Sequence, residues 1–526
     1  MSTGKAGSRN QARAHPGLHK SSRRDSISSD TISAESVTAY QIDLRSGGPV
    51  VAFVGRERQL ATLNALLGDV GPRGNDPSPG QCLLIRGRRR IGKSSLVEAF
   101  VDRAGTPSVF FTASGASTDI ELEAFTEAVR SSTLPERAVF DDATPGNWSA
   151  ALRQLAGVLP DDQPSVVVID EVPYLIDRVD AFEGILQRSW DRELSRKPVL
   201  LVLIGSDLSM MEALGSYGRP FHQRGKEMIL GPLNPAEVGE MLRLDPADAF
   251  DAALVTGGLP LICAGWRPGT GLWQFLTAEL ANPVSPLLVS AERSLAAEFP
   301  ESAMGRTVLA AIGSGERTFT NIGRAAGGIS HSTLTRAAQV LVDKRIVAAE
   351  LPIATTPSKE RRYRVTDPYL RFWLTFVAPH LAEIERLRGD LTLERVKAGW
   401  TTWRGRAVEP LLRESLARLL PDGALPAAPA IGSYWTRSNS VEIDIVGADR
   451  EPVAKRLLFV GSIKWLTASA FDDHDLVALQ RHRTTITDDP IPLVAVSRSG
   501  VSTTGLSAAY GPADLLRAWQ RSNSTP

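Results

Sequence analysis

A glycine-rich segment near residue 90 constrains the fold of this chain more than any other feature. Residues 87–94 read Gly-Arg-Arg-Arg-Ile-Gly-Lys-Ser and match G-x-x-x-x-G-K-[S/T]. The apolar run Cys82 to Ile85 precedes the segment, and Ser95 to Val101 has the character of a helix. In this setting backbone N–H groups wrap phosphates, the lysine reaches the β and γ phosphates, and the serine ligates Mg²⁺. The residues predicted to bind the nucleotide here are Gly87, Arg88, Arg89, Arg90, Ile91, Gly92, Lys93, Ser94 and Ser95.

Short apolar runs alternate with longer amphipathic stretches between Val51 and Leu233. This alternation is typical of parallel strands covered by helices. We therefore predict an α/β fold with a five-stranded parallel core over residues 49–233. The predicted strands are Cys82 to Ile85, Val109 to Thr112, Val166 to Ile169, Val199 to Ile204 and Met228 to Leu230.

Polar residues follow two of these predicted strands. Asp170 and Glu171 come directly after Val166 to Ile169. Asp170 is predicted to hold Mg²⁺, and Glu171 to orient and deprotonate an attacking water. Ser206 follows the next strand and is the candidate for sensing the γ-phosphate, while Arg219 is a candidate for supplying a positive charge to it. The predicted catalytic residues are thus Lys93, Glu171, Ser206 and Arg219.

Overall charge and cysteine content exclude several classes of protein. Lys and Arg number 59, as do Asp and Glu, so any basic site must be local. Cys82 and Cys263 form no C-x-x-C pair, which excludes a cysteine metal cluster or a disulfide framework and fits a reducing compartment. No apolar stretch reaches the ~20 residues that cross a bilayer. We expect a cytoplasmic protein without a membrane partner.

The remaining chain divides into further predicted regions. Residues 1–48 are rich in Ser and Arg and are predicted to form a disordered basic tail. Residues 234–300 have a helical pattern. Residues 301–378 have three helical patterns followed by two strand patterns, which is winged-helix order. A small α/β domain is predicted over 379–515, and a C-terminal tail over 516–526.

A winged helix reads DNA with its second motif helix, here Ser330 to Lys344. Its exposed face is polar but only weakly basic. Arginines of the predicted wing could add phosphate contacts, which fix position without reading sequence. Such domains also serve as packing modules, so DNA contact and packing both stay open. The residues concerned are His331, Ser332, Thr335, Arg336, Gln339, Arg361, Arg362 and Arg364.

Taken in order, these motifs resemble the archaeal-type P-loop ATPases of the STAND and AAA+ class, over residues 51 to 500. The resemblance implies ATP and Mg²⁺ as ligands and a helical lid over residues 234–300. It also implies that Val54, Gly55 and Pro260 lie near the adenine. The matching segments are Phe53 to Glu57, the residue 87–94 loop, Asp170 to Leu175, Gly205 to Met211, Gly257 to Pro260 and Asp367 to Trp373.

In the same family the C-terminal domain resembles the PD-(D/E)XK nuclease fold, also called restriction-endonuclease-like. The corresponding residues here are Glu409, Asp444 and Lys464, whose acids would bind Mg²⁺ and whose amine would steady a water. The position two before Lys464 should be acidic but is Ser462. Glu442 lies on the same strand face as Asp444 and could partly substitute. The departure favours a degenerate site without nuclease activity.

The sequence thus predicts an Mg²⁺-dependent ATP-binding protein and slow ATPase. Its nucleotide state would reposition the winged-helix and nuclease-like domains, with DNA as a candidate partner. Two alternatives stay open: a DNA-binding regulator that holds ATP without hydrolysing it, and an ATP-gated metal-dependent nuclease. A homo-oligomer is also compatible, because Arg219 could act within its own subunit or on a neighbour.

Overall fold

The computed structural model describes residues 53–70, 80–142, 144–298 and 303–521. The tail predicted over residues 1–48 lies outside these ranges. The first layer is α/β and consists of α1 (Glu57–Asp69), β1 (Gln81–Arg86), α2 (Lys93–Ala104), β2 (Ser108–Thr112), α3 (Thr118–Arg130), α4 (Val139–Asp142), α5 (Trp148–Val158), β3 (Ser165–Asp170), α6 (Val172–Arg178), α7 (Phe182–Arg192), β4 (Val199–Gly205), α8 (Leu208–Gly215) and β5 (Lys226–Ile229).

The five strands of this layer form one parallel sheet in the order β2-β3-β4-β1-β5. Every residue of β3 and β4 is buried, as expected for strands covered on both faces. Alternate side chains enter two different cores: Val166 and Val168 pack with α1 and α2, whereas Val167 and Ile169 pack with α3, α5 and α7. The predicted five-stranded parallel core is confirmed. Because the strands are parallel, β1, β3 and β4 end at the same edge.

A helical region with a two-stranded sheet follows. Its elements are α9 (Pro235–Leu242), α10 (Pro246–Thr256), α11 (Pro260–Ala264), α12 (Leu272–Leu280), α13 (Pro286–Glu298), α14 (Ala303–Gly313), α15 (Phe319–Ala325), α16 (His331–Asp343), β6 (Val347–Glu350), β7 (Arg362–Val365) and α17 (Pro368–Phe372). Strands β6 and β7 pair antiparallel. One apolar core joins α9 to α17, so these elements pack as one layer.

The C-terminal part contains α18 (Leu381–Glu385), α19 (Gly389–Leu419), β8 (Ala430–Trp435), β9 (Glu442–Ala448), β10 (Leu457–Lys464), α20 (Asp473–Arg483), β11 (Leu493–Ser497), β12 (Ala508–Tyr510) and α21 (Pro512–Arg521). Its sheet has the order β12-β11-β10-β9-β8. Strands β8, β9 and β10 are antiparallel neighbours, whereas β10, β11 and β12 are parallel. A small mixed α/β domain is therefore present here.

The tail predicted to begin at residue 516 is wrong in its first six residues. Helix α21 continues to Arg521 and buries Leu516, Ala518 and Trp519. The Trp519 indole N–H donates to the Ser415 hydroxyl on α19 at 2.8 Å. Apolar spacing at i, i+3 and i+4 on α21 explains why it packs as a helix. Among the described helices, including the 31-residue α19, none is long and apolar enough to span a membrane.

Candidate active site

The loop between β1 and α2 depends on two glycines. A Cβ at Gly87 would lie 2.5 Å from the Leu230 carbonyl oxygen, so only glycine allows this approach of two backbones. Gly92 has φ 86° and precedes the first residue of α2. That left-handed conformation turns the chain into the helix, whose first N–H groups then face the loop. The loop is therefore shaped as a cradle for an anion at the edge where the strands end.

Lys93 lies inside this loop with only 6% of its surface exposed. Its Nζ donates to the carbonyl oxygens of Gly87 at 2.9 Å and Arg88 at 3.2 Å. Burial lowers the pKa of Lys93, and the nearby carboxylates of Glu171 and Asp170 oppose that change. A buried ammonium whose hydrogen bonds go to neutral carbonyls is poised to take a negatively charged ligand.

Ser94, the last residue of the 87–94 segment, meets Asp170 at the end of β3. The Ser94 hydroxyl donates to Asp170 Oδ2 at 2.6 Å, and the Glu171 N–H donates to Oδ1 at 2.8 Å. Asp170 is 3% exposed, and burial raises its pKa while the Ser94 hydrogen bond opposes the rise. One hydroxyl and one buried carboxylate fit Mg²⁺, which takes one or two carboxylates and completes its shell with waters and phosphates. The predicted pair Ser94 and Asp170 thus forms a suitable ligand set.

Glu171 is held by the end of the neighbouring strand. Ser206 donates to Glu171 Oε2 from its hydroxyl at 2.8 Å and from its N–H at 3.3 Å. Arg89 reaches the same place, with Nε 3.4 Å from Ser206 Oγ and Nη2 2.9 Å from the Tyr174 hydroxyl. Glu171 itself has φ 53°, a strained conformation for a non-glycine residue. Two predicted catalytic residues, Glu171 and Ser206, therefore touch each other beside the loop.

The segment predicted to lie near the adenine also reaches the loop. Gly55 has φ 78° and faces the side chain of Glu237, Val54 is half-buried, and Pro260 lies against Gly92. The side chain of Ser95, also predicted to bind the nucleotide, is exposed to solvent. The sequence indicated Arg56 only as a member of the segment Phe53 to Glu57.

The structure gives Arg56 a definite place in the site. It is 4% exposed, and its Nη2 donates to the carbonyl oxygens of Ile91 at 3.2 Å and Gly231 at 2.7 Å. Its backbone N–H donates to Glu237 Oε1 at 3.0 Å, where Glu237 belongs to the capping box of α9. Arg56 thus braces the loop against α9. Its position in the segment Phe53 to Glu57 was the available signal.

Two more loop arginines contact the helical region, which sequence analysis did not foresee. Arg88 Nη1 lies 3.4 Å from Asp367 Oδ2, and Arg90 Nη1 lies 3.2 Å from the Ser290 hydroxyl on α13. Asp367 precedes α17 and also accepts from the Leu370 N–H at 3.0 Å. Burial raises the pKa of Asp367, and Arg88 opposes the rise. The loop is therefore linked directly to α13 and α17.

Arg219 lies elsewhere. Its guanidinium pairs with the carboxylate of Glu183 on α7. Among the described residues, no contact is found between Arg219 and Lys93 or Glu171, with which it was grouped as a catalytic residue. The reason is electrostatic, since the buried carboxylate of Glu183 compensates the positive charge of the Arg219 guanidinium.

The predicted nuclease-like residues are only partly brought together. Asp444 accepts from the Ser462 hydroxyl at 3.0 Å and the Ile463 N–H at 2.8 Å. Arg413 donates to Glu409 at 3.4 Å and to the Asp444 carbonyl at 2.9 Å. Ser462 thus takes the place beside Asp444 that an acid would need for metal binding.

Glu442 and Lys464, the other two members of this candidate site, are engaged by different partners. Glu442 pairs with Arg362 at 2.5 Å and Arg317 at 3.3 Å. Lys464 lies 2.5 Å from Asp475 and 3.6 Å from Asp472 at the start of α20. Glu442 is therefore paired with arginines rather than free to replace the missing acid at position 462. Lys464 is paired with acids at the start of α20 rather than with Asp444. Within the described ranges, no cluster of three or more His, Cys, Asp or Glu side chains could hold a metal ion.

Comparison with known proteins agrees with this geometry. Residues 52–203 match the model of a family described as an AAA ATPase domain. Residues 373–476 match DUF234, described as archaeal and bacterial proteins of unknown function. An uncharacterized protein of Methanocaldococcus jannaschii is 26% identical over 420 residues, which cover 78% of this chain and 87% of that protein.

The solved structures that this chain matches include a Walker-type ATPase of Pyrococcus abyssi. It is 18% identical, covers 61% of this chain and 95% of its own length, and has a TM-score of 0.43. The ORC1 protein of Aeropyrum pernix, solved in complex with DNA, is 18% identical, with coverages of 63% and 94% and a TM-score of 0.31. Residues 52–203 are thus similar to AAA ATPase domains, and residues 373–476 are similar to the DUF234 family.

Proposed function

We propose that this protein is an Mg²⁺-dependent ATP-binding protein and a slow ATPase whose nucleotide state repositions its winged-helix and C-terminal domains. The observation that carries the proposal is the Lys93 ammonium. It is buried and bonded to two neutral carbonyls, beside the Ser94 and Asp170 pair. A buried charge without a carboxylate in hydrogen-bond contact is costly unless a ligand compensates it.

In the proposed complex, each residue of the loop has a separate task. The N–H groups of residues 87–94 bind phosphate oxygens, and Lys93 exchanges its carbonyl partners for the β and γ phosphates. Ser94 and Asp170 would hold Mg²⁺, which supplies charge neutralisation to the transferred phosphoryl group. Glu171 orients the attacking water and accepts its proton, while Ser206 fixes the position of the Glu171 carboxylate.

The same loop supports the proposed movement of other domains. Arg88 contacts Asp367 and Arg90 contacts Ser290, so a loop that rearranges around ATP must remake contacts with α13 and α17. A ligand shifts a conformational equilibrium only through contacts that differ between the two states. The γ-phosphate, near Lys93 and Ser206, would be the group that ATP has and ADP lacks.

Two variants of the full-length chain test the proposal. Lys93→Ala is expected to abolish tight ATP binding in isothermal titration, whereas Glu171→Gln is expected to keep binding and lose phosphate release. Lys397→Ala is the matched control, since Lys397 is an exposed lysine on α19 that pairs with Glu394. Unchanged ATP affinity in the Lys93 variant would refute the assignment of the site.

The second candidate function is a DNA-binding regulator that holds ATP without hydrolysing it. One observation favours it: both hydrogen bonds from Ser206 go to Glu171 Oε2, so an attacking water would have to use the other oxygen, Oε1. Steady-state phosphate release with and without duplex DNA separates the two functions. Release that stays at the background of the Glu171→Gln variant under both conditions would favour the regulator.

A further inference from the structure

Six arginines lie where the sheet β6–β7, helix α17 and helix α19 meet the C-terminal sheet. Arg317 and Arg362 contact Glu442 on β9, and Arg364 contacts Glu350 on β6. Arg371 on α17 contacts the carbonyl of Arg406 on α19. We call the set the junction arginines: Arg317, Arg362, Arg364, Arg371, Arg406 and Arg413.

The junction carries a local excess of positive charge. Among the described residues, the carboxylates that contact or face these arginines are Glu350, Glu409, Glu442 and Asp444. Six guanidiniums against four carboxylates leave an excess of two positive charges even when every acid is ionised. The chain as a whole has 59 basic and 59 acidic residues, so this excess is local.

Arg371 and Arg406 are the two junction arginines for which no ion pair with a carboxylate of the described residues is found. Arg371 Nη1 donates to the Arg406 carbonyl at 3.2 Å. Burial lowers the pKa of Arg371 to about 10, with Glu409 opposing and Arg364, Arg317 and Arg406 adding to the decrease. A guanidinium has five N–H donors, and among the described residues one hydrogen bond from Arg371 is found, the one to the Arg406 carbonyl.

Several contacts hold the surroundings of the junction in place. Arg362 donates to Asn439 at 2.6 Å and stacks over the Trp435 ring at 4.5 Å. The segment between β6 and β7 is joined to the C-terminal sheet, because the Ile353 N–H donates to the Ser433 carbonyl at 2.9 Å. Arginines fixed in this way lose little entropy on binding, which favours a preorganised site.

We propose that the junction arginines bind a phosphate group of a nucleic-acid backbone, with Arg371 as the central donor. The planar fork of a guanidinium matches phosphate oxygens, and such contacts fix register without reading sequence. The exposed polar face of α16 and Arg361 lie on the same small domain: Thr335, Gln339 and Arg361 line one cavity there. This inference rests on the proposed contact with DNA and extends it to a defined phosphate site.

The test is anisotropy of labelled duplex DNA, single-stranded DNA and duplex RNA with the full-length chain at increasing salt. Arg371→Gln is expected to weaken binding about tenfold and to reduce the salt slope by about one. Arg371→Lys, which retains a charge, should recover part of the affinity. Arg388→Gln, which removes an exposed arginine paired with Asp390, should behave as wild type.

Each other outcome overturns the inference in a distinguishable way. Equal affinity and salt slope in wild type and Arg371→Gln would overturn the phosphate site but leave DNA binding in place. Absence of binding by wild type to all three nucleic acids, with normal ATP affinity, would overturn both the site and the DNA contact. Stabilisation by inorganic phosphate alone would overturn the nucleic-acid assignment. If Arg371→Gln does not fold, Arg406→Gln, which removes an exposed arginine of the same junction, is compared with wild type instead.

Discussion

Glu409 on α19 is expected to make the stability of the folded protein depend on pH. Its side chain is 20% exposed, and burial raises its pKa to about 7 from a usual 4.5, with Asp444 adding to the rise and Arg413 opposing it. The folded protein therefore holds a proton that the unfolded chain releases between about pH 4.5 and 7. Stability is then lost as pH rises through this window and is level above it.

The size of the effect follows from the same values. A difference of about 2.5 pKa units corresponds to about 3.4 kcal/mol, since one unit is about 1.36 kcal/mol. Because part of the carboxyl is exposed to water, we expect about 2 kcal/mol of this to be realised. Glu409→Gln keeps the neutral form at every pH. It should equal wild type near pH 4.5 and exceed it at pH 8 by this amount.

Thermal unfolding of the full-length chain at both pH values, followed by tryptophan fluorescence, measures the difference. A gain of about 2 kcal/mol at pH 8 corresponds to a rise in Tm of about 4 to 8 °C for a domain of about 150 to 250 residues. Glu394→Gln is the control, since Glu394 is an exposed acid on the same helix. The same pH dependence of Tm in wild type and Glu409→Gln would refute the reasoning.

Two further predictions concern the nucleotide site. Gly258→Ala should lower Tm and weaken ATP binding, because Gly258 has φ 65° and a Cβ there would collide with the Leu233 carbonyl; Gly231→Ala, which meets open space, should do neither. Ser206→Ala should lower phosphate release by about tenfold to a hundredfold at unchanged ATP affinity, because it removes the 2.8 Å hydrogen bond that orients Glu171. Turnover equal to wild type would exclude that role for Ser206.

The five-stranded core could be predicted from local sequence patterns. The apolar runs around Val166 and Val199 were long and continuous, so strands buried on both faces could be recognised. The segment of residues 87–94 placed Lys93 and Ser94 at the sheet edge, and Asp170 followed from the end of β3 at the same edge. These inferences needed only neighbouring residues and the direction of parallel strands.

Contacts between distant segments could not be predicted in the same way. Arg88 meets Asp367 across 279 positions of sequence, and nothing local to either residue indicates the pairing. Glu442 looked like a spare metal ligand from its spacing to Asp444, but Arg317 and Arg362 of another domain neutralise it. Choice of partner among 59 basic residues depends on tertiary packing, which single-sequence patterns do not contain.

Strand β8 could not be recognised from its sequence, for a different reason. Its sequence, Ala430 to Trp435, contains a glycine and a serine and has no clean alternation of apolar and polar residues. A register shift between Gly432 and Tyr434 interrupts its pairing with β9. An irregular strand of this kind gives only a weak periodic signal.

The dependence of ATP affinity on Mg²⁺ tests the central claim most directly. Asp170→Asn keeps the shape of the side chain and can still accept the Ser94 hydrogen bond, but it removes the charge that would hold the ion. Titration of ATP into wild type with Mg²⁺ and with EDTA should show a marked gain from Mg²⁺. In Asp170→Asn the affinity in EDTA should be retained and the gain from Mg²⁺ lost, whereas an equal gain in both proteins would contradict the account.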